Sequence, residues 1–139
     1  DIDLRAIPGP QHDRFEKGLT TLFKSEYLVS AQADRMGLRL KGPPIAQNKG
    51  LQKSIISEPT IAGSIQIPAD SQPIILLSEQ TVGGYAKIAT VISADLPKIA
   101  QAKPGDSLHF DSIRLEDAHA IYRQEEEKLQ QISHILSKQ

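Results

Sequence analysis

The strongest constraint on this chain lies between Ser57 and Ser93, where apolar runs too short for helices are cut again and again by turn residues. SIQIP and PIILL are β-rich runs separated by Ala69-Asp70-Ser71-Gln72, and KIATVIS follows the pair Gly83-Gly84. A stretch that reverses this often folds as a sheet with decorated turns. A glycine pair between hydrophobic runs admits positive φ and lets a backbone or a ligand come close, and Thr81 and Tyr85 add hydroxyls there. Gln66 alternates with Ile65 and Ile67, so it lies on the face opposite the isoleucines, where it meets solvent or lines the mouth of a barrel. From Thr81 to Lys87 the chain offers the two glycine amides, two hydroxyls and one ammonium. Such a set suits an oxyanion, although it lacks the GxxxxGK[ST] spacing of a P-loop.

The flanking segments continue the pattern of short strands. Ile2 to Ile7 reads as a first strand stopped by Pro8-Gly9-Pro10, Tyr27 to Ala31 and Leu38 to Leu40 as two more, and Ser107 to Ile113 as the last, with His109 facing outward. Between the first two, Phe15, Leu19, Leu22 and Phe23 predict an amphipathic helix over His12–Phe23, interrupted at Gly18, with His12 and Asp13 at its entrance. The linker before Leu38 is longer than a hairpin needs and carries Arg35. That guanidinium either clamps a carboxylate or phosphate bidentately or pairs with Asp34 or Glu58 to pin the loop, and Pro59 holds Glu58 extended. Residues 41–55 read as a surface connection. Asp95 is placed to cap a short helix over Leu96–Ala102, ended by Pro104-Gly105.

Leu115 to Leu136 is the one long helix. Leu115, Ala118, Tyr122, Leu129, Ile132 and Leu136 form its apolar stripe, with Glu125 inside it, so it is expected to pack on the barrel or on a partner chain. The 139 residues make one domain, 1–139, with 115–137 as its C-terminal helix. A net charge of −1 gives no general field for nucleic acid or an anionic membrane, and 4% aromatics without tryptophan leave no base-stacking platform. The absence of cysteine excludes a thiolate nucleophile and a cysteine zinc site, and no histidine–carboxylate spacing predicts a metal. No apolar run approaches the length of a membrane span, so a cytoplasmic domain is expected.

GSIQIPADSQPIILLSEQTVGGYAKIATVISADLPKIAQAKPGD resembles the signature of the KipA family, also called allophanate hydrolase subunit 2 or the C-type subunit of 5-oxoprolinase, which also occurs in the carboxyltransferase part of urea carboxylase. IPGPQHDRF and ADRMGLRLKG resemble the same family's earlier motifs in the same order. The resemblance covers roughly Leu4 to Ala118 and corresponds to the C-terminal part of such a protein. It implies a mainly β, cyclophilin-like antiparallel β-barrel with short helices and the long C-terminal helix. It further implies a domain of an ATP-dependent amide or lactam hydrolase complex, 5-oxoprolinase-like, that opens 5-oxoproline to glutamate. ATP would be used by the complex, with no cofactor bound by this domain, which would be inactive alone. KipI-type and LamB-type subunits are the implied partners. The alternative is a regulatory module that pairs with a KipI-type protein and counteracts its inhibition of a histidine kinase. No catalytic residue is identified; the implied substrate-binding residues are Arg35, Glu58, Gln66, Thr81, Gly83, Gly84, Tyr85 and Lys87. The family reads GGYPKI where this chain has Ala86, so a looser turn is expected.

Overall fold

The computed structural model describes residues 1–9, 11–15, 17–32, 37–48, 61–78 and 85–137. Among them, seven strands close into a barrel in the order β1 (Ile2–Pro8), β6 (Ala86–Val91), β4 (Ser64–Ile67), β5 (Ile74–Leu76), β3 (Gly37–Lys41), β2 (Glu26–Val29) and β7 (Ser107–Ser112). Six seams are antiparallel, and the seam between β1 and β7 is parallel. The mainly β barrel expected from the sequence is therefore present, with one seam of the other sense.

Alternation along each strand fills the interior. Leu4 and Ala6, Tyr27 and Val29, Leu38 and Leu40, Ile65 and Ile67, and Leu108 and Phe110 all join one core at a period of two. The Tyr27 and Phe110 rings meet edge to face with centroids 6.1 Å apart. The Tyr27 hydroxyl donates to the Pro43 carbonyl at 2.9 Å, and burial pushes this phenol up to about 12.

Strand β6 breaks the alternation in a useful way. Ile65 pairs with Ala89 and Gln66 with Lys87, so Ile88 is the extra residue of a β-bulge. Ile88 and Ala89 can then both enter the core while Lys87 keeps its register with Gln66. Gly9 lies against this bulge and donates its N–H to the Ile88 carbonyl at 2.8 Å. A Cβ at Gly9 would stand 2.7 Å from the Lys87 carbonyl oxygen, which explains a glycine inside the Pro8-Gly9-Pro10 stop.

Two expectations are corrected. The helix expected over His12–Phe23 divides into a 3-10 turn at His12–Arg14 and α1 at Gly18–Lys24. Gly18 opens α1 because no side chain fits there: a Cβ would meet Ile45 Cγ2 at 2.6 Å. Ile45 is fully buried and donates its N–H to the Ser71 carbonyl, anchoring the 41–55 connection at one point, while its other described residues are exposed or half-buried, as a surface connection should be. Asp95 occupies the N-cap position of α2 (Leu96–Ala100) yet makes no side-chain cap bond. Its carboxylate instead accepts from Arg5, at 2.8 Å from the backbone N, 3.0 Å from Nε and 2.7 Å from Nη2. A guanidinium and an amide held by β1 outcompete the local amides of a short helix. Burial alone would raise this carboxyl, but the Arg5 bonds, with the charges of Arg5 and Lys98, hold it below its ordinary value.

The long helix, α3 (Leu115–Ser137), leaves the barrel after β7 and buries none of its residues. Among the described residues no helix is long and apolar enough to cross a membrane.

Candidate functional site

Strands β6, β4, β5 and β3 bring Lys87, Gln66, Ile74 and Arg39 into one row across the barrel. Each step in that row is about 4.8 Å, the spacing of paired strands. Gln66 and Lys87 lie opposite each other, out of phase with the core residues Ile65 and Ile67, and positions on that side of a barrel strand are ordinarily hydrated. Here Gln66 is 4% and Lys87 5% exposed. Gln66 Nε2 is buried and has no hydrogen-bond partner among the described residues. An unsatisfied buried amide costs about 1–3 kcal/mol. A donor retained at that cost beside a buried ammonium is suited to a ligand oxygen.

The backbone under this pair is fixed by the segment after β1. Gln11 donates its N–H to the Lys87 carbonyl at 3.2 Å and accepts the Lys87 N–H on Oε1 at 3.0 Å, acting as an added rung beside β6. The segment is tied down beyond that point. Arg14 Nε donates to Gln47 Oε1 at 3.0 Å, the Asn48 N–H to the Arg14 carbonyl at 2.8 Å, and Asn48 Nδ2 to the Asp13 carbonyl at 3.2 Å. His12 Nδ1 lies 2.8 Å from the Gly9 carbonyl. A carbonyl only accepts, so the proton is on Nδ1. His12 and Asp13 thus serve this strap, and the helix-entrance reading of the pair becomes a turn entrance. One strand beyond Gln66, a hollow of about 260 Å³ is lined by Ser30, Arg39, Lys41, Asp70, Gln72 and Ile74.

Of the residues expected to bind substrate, the structure brings Gln66 and Lys87 together. Tyr85 stands at the head of β6, partly exposed. Arg35, Glu58, Thr81, Gly83 and Gly84 lie outside the described residues. The solvent-facing alternative for Gln66 is overturned, since its neighbours cover it. Ala86 is fully buried and fills part of the core. Sequence reasoning missed Gln11, because nothing local ties it to Lys87; the only signal was an amide directly after a Pro-Gly-Pro stop. It also missed a cluster made by the parallel seam, where Asp3 pairs with His109 and both lie near Asp111, with ligand atoms within 4.8 Å of one another. Exposed acidic groups gather in this way without an ion, and we assign no metal to it.

The family model for the carboxyltransferase domain, subdomain A and B, matches residues 1–112. The chain belongs to this carboxyltransferase-domain family. The match ends where β7 ends, so it covers the whole barrel and stops short of α3. Over 135 residues the chain is 36% identical to the C-type subunit of 5-oxoprolinase from Haemophilus influenzae, covering 96% of this chain and 43% of that protein. Its counterpart in Escherichia coli strain K12 is 33% identical over 132 residues, covering 94% and 42%. The chain thus spans less than half the length of these family members. The crystal structure of the K. lactis urea amidolyase superposes with a TM-score of 0.79 over 91% of this chain and 8% of that one. At 24% identity, that is a likeness of fold.

Proposed function

We propose that this barrel is a substrate-facing domain of a subunit in an ATP-dependent, 5-oxoprolinase-like complex that opens the lactam of 5-oxoproline to glutamate. The observation that carries the reading is the buried Gln66–Lys87 pair with its open amide donor, in a chain similar over nearly its full length to 5-oxoprolinase subunits. The substrate offers a carboxylate and a lactam oxygen. In this reading Lys87 pairs with the carboxylate, and Gln66 Nε2 donates to the lactam oxygen, which gains negative charge as water adds to the ring carbon. The C–N bond then breaks and the nitrogen leaves as an amine. Arg35, Glu58, Thr81, Gly83, Gly84 and Tyr85 complete the site in this proposal, ATP is consumed elsewhere in the complex, and KipI-type and LamB-type chains are the partners. No observation favours the regulatory reading.

Gln66→Met, made in the full-length protein and assayed with its partner subunits, separates this role from a packing role. Methionine fills a similar volume and removes the unsatisfied amide, so stability should rise by about 1 kcal/mol. Glutamate formation should nevertheless fall about tenfold in kcat/KM, because a donor to the reacting oxygen is gone. Unchanged kcat/KM would sink the proposed contact.

The 139-residue chain alone should release no glutamate from 5-oxoproline and ATP. Turnover by that chain without partners would show that it needs no other subunit.

A further inference from the structure

Among the described residues, one long face of α3 is uncovered. Leu115, Tyr122, Leu129, Ile132, Ile135 and Leu136 are each 51–62% exposed. Leu115, Ala118, Tyr122, Glu125, Leu129, Ile132 and Leu136 follow one another in alternating steps of three and four, the a and d positions of a heptad repeat. At the base of the helix, a cleft of about 230 Å³ opens between α3 and the barrel, lined by Ile7, Ile61, Ile92, Leu96, Leu115 and Tyr122. It shares Ala62, Ser93 and Leu96 with an apolar hollow of about 540 Å³. Among the described residues, one end of the helix therefore borders an apolar cleft, and the other end is an exposed apolar tip.

We propose that a second copy of this chain covers this face, with the two α3 helices lying antiparallel along their heptad seams. A two-fold contact must be self-complementary. Only the antiparallel arrangement sets the tip of each helix, Ile132 to Leu136, at the cleft of the other, so cleft and tip are both covered by one contact repeated twice. In that register a positions face d positions: Leu115 meets Ile132 of the second copy, Ala118 meets Leu129, and Tyr122 meets Glu125.

Glu125 decides the orientation. In a parallel pair it would face its own copy at a d position, two carboxylates in an apolar seam. In the antiparallel pair it faces an aromatic ring with a polar tip. The size is also adequate. Covering the six exposed side chains on both copies removes about 1,200 Å² from water, the lower end of a stable specific interface.

Light scattering on the 139-residue chain of 15.2 kDa tests this directly. A dimer is expected at concentrations of about 100 µM, and Ile132→Glu should weaken self-association about 100-fold by burying a charge in the seam. At dilutions where both proteins are monomeric the melting temperature should not change, because Ile132 is exposed and not packed on the barrel. Orientation can be read by disulfide trapping, since the native chain has no cysteine. A mixture of the Ala118→Cys and Leu129→Cys proteins should cross-link. Leu129→Cys alone should not, because its two copies would lie about 16 Å apart along the helices. A monomer at every concentration overturns the proposal, and so does ready self-cross-linking of Leu129→Cys alone. Protection of α3 from hydrogen exchange only when other subunits are added overturns it as well, and assigns the face to those subunits.

Discussion

Lys87→Met in the assembled complex is expected to lower kcat/KM for 5-oxoproline about 100-fold while leaving the barrel folded. The size of the effect follows from where the ammonium sits. Lys87 is buried beside Gln66, so a charged contact to a ligand there is little screened by water, and such contacts contribute about 1.5–3 kcal/mol. Methionine keeps most of the aliphatic stem, and the two bonds that Gln11 makes to residue 87 use only its backbone. A purely structural lysine would give the reverse pattern: a lower melting temperature with normal turnover per folded molecule. Measuring both on one preparation distinguishes the two, and turnover within about twofold of the parent removes Lys87 from the site.

Asp95→Ala is expected to be the most damaging change to the barrel itself, at about 3 kcal/mol. The carboxylate is 1% exposed and accepts three hydrogen bonds from Arg5, so its removal strands the Arg5 backbone N–H and leaves the guanidinium without its partner. For a domain of this size that lowers Tm by about 10 °C. The same group sets an acid limit. Because the folded carboxyl titrates below its ordinary value of 3.8, its contribution is fully present above that value and is lost as pH falls through the lower folded value. Asp95→Asn should therefore lose stability at neutral pH and show a flatter decline in acid. Equal Tm for parent and Asp95→Asn at pH 7 would show that the charge contributes nothing.

The barrel was largely legible because its evidence is local. Period-two patterns in SIQIP, in KIATVIS and around Phe110 mark strands wherever they pair, and the turn residues between them fix their lengths. The helix at Leu115 was equally plain from its three-four spacing. What sequence could not show was made by contacts between distant residues. Asp95 looked like a helix cap, and only β1 running past it reveals Arg5 as the better partner. Gln66 was recognised as out of phase with the core, but its burial depends on what lies over the strand. The site pair itself hinges on Ile88, a single residue inserted into β6 that no period analysis marks as extra. The parallel seam was invisible for the same reason, since it pairs the two ends of the barrel segment.

That seam sets how the barrel can form. Residues 2–6 pair with residues 108–112, so the first strand meets its parallel neighbour only when the last strand is in hand. Until then β1 and β2 each carry an open edge, and the loop to be closed spans nearly the whole barrel. Loop-closure entropy and non-local pairing make such a topology slow to fold and prone to stray edge pairing while it waits. A nascent or truncated chain that lacks Ser107–Ser112 is in this respect an open sheet, and the final strand works as the closing stave of the barrel.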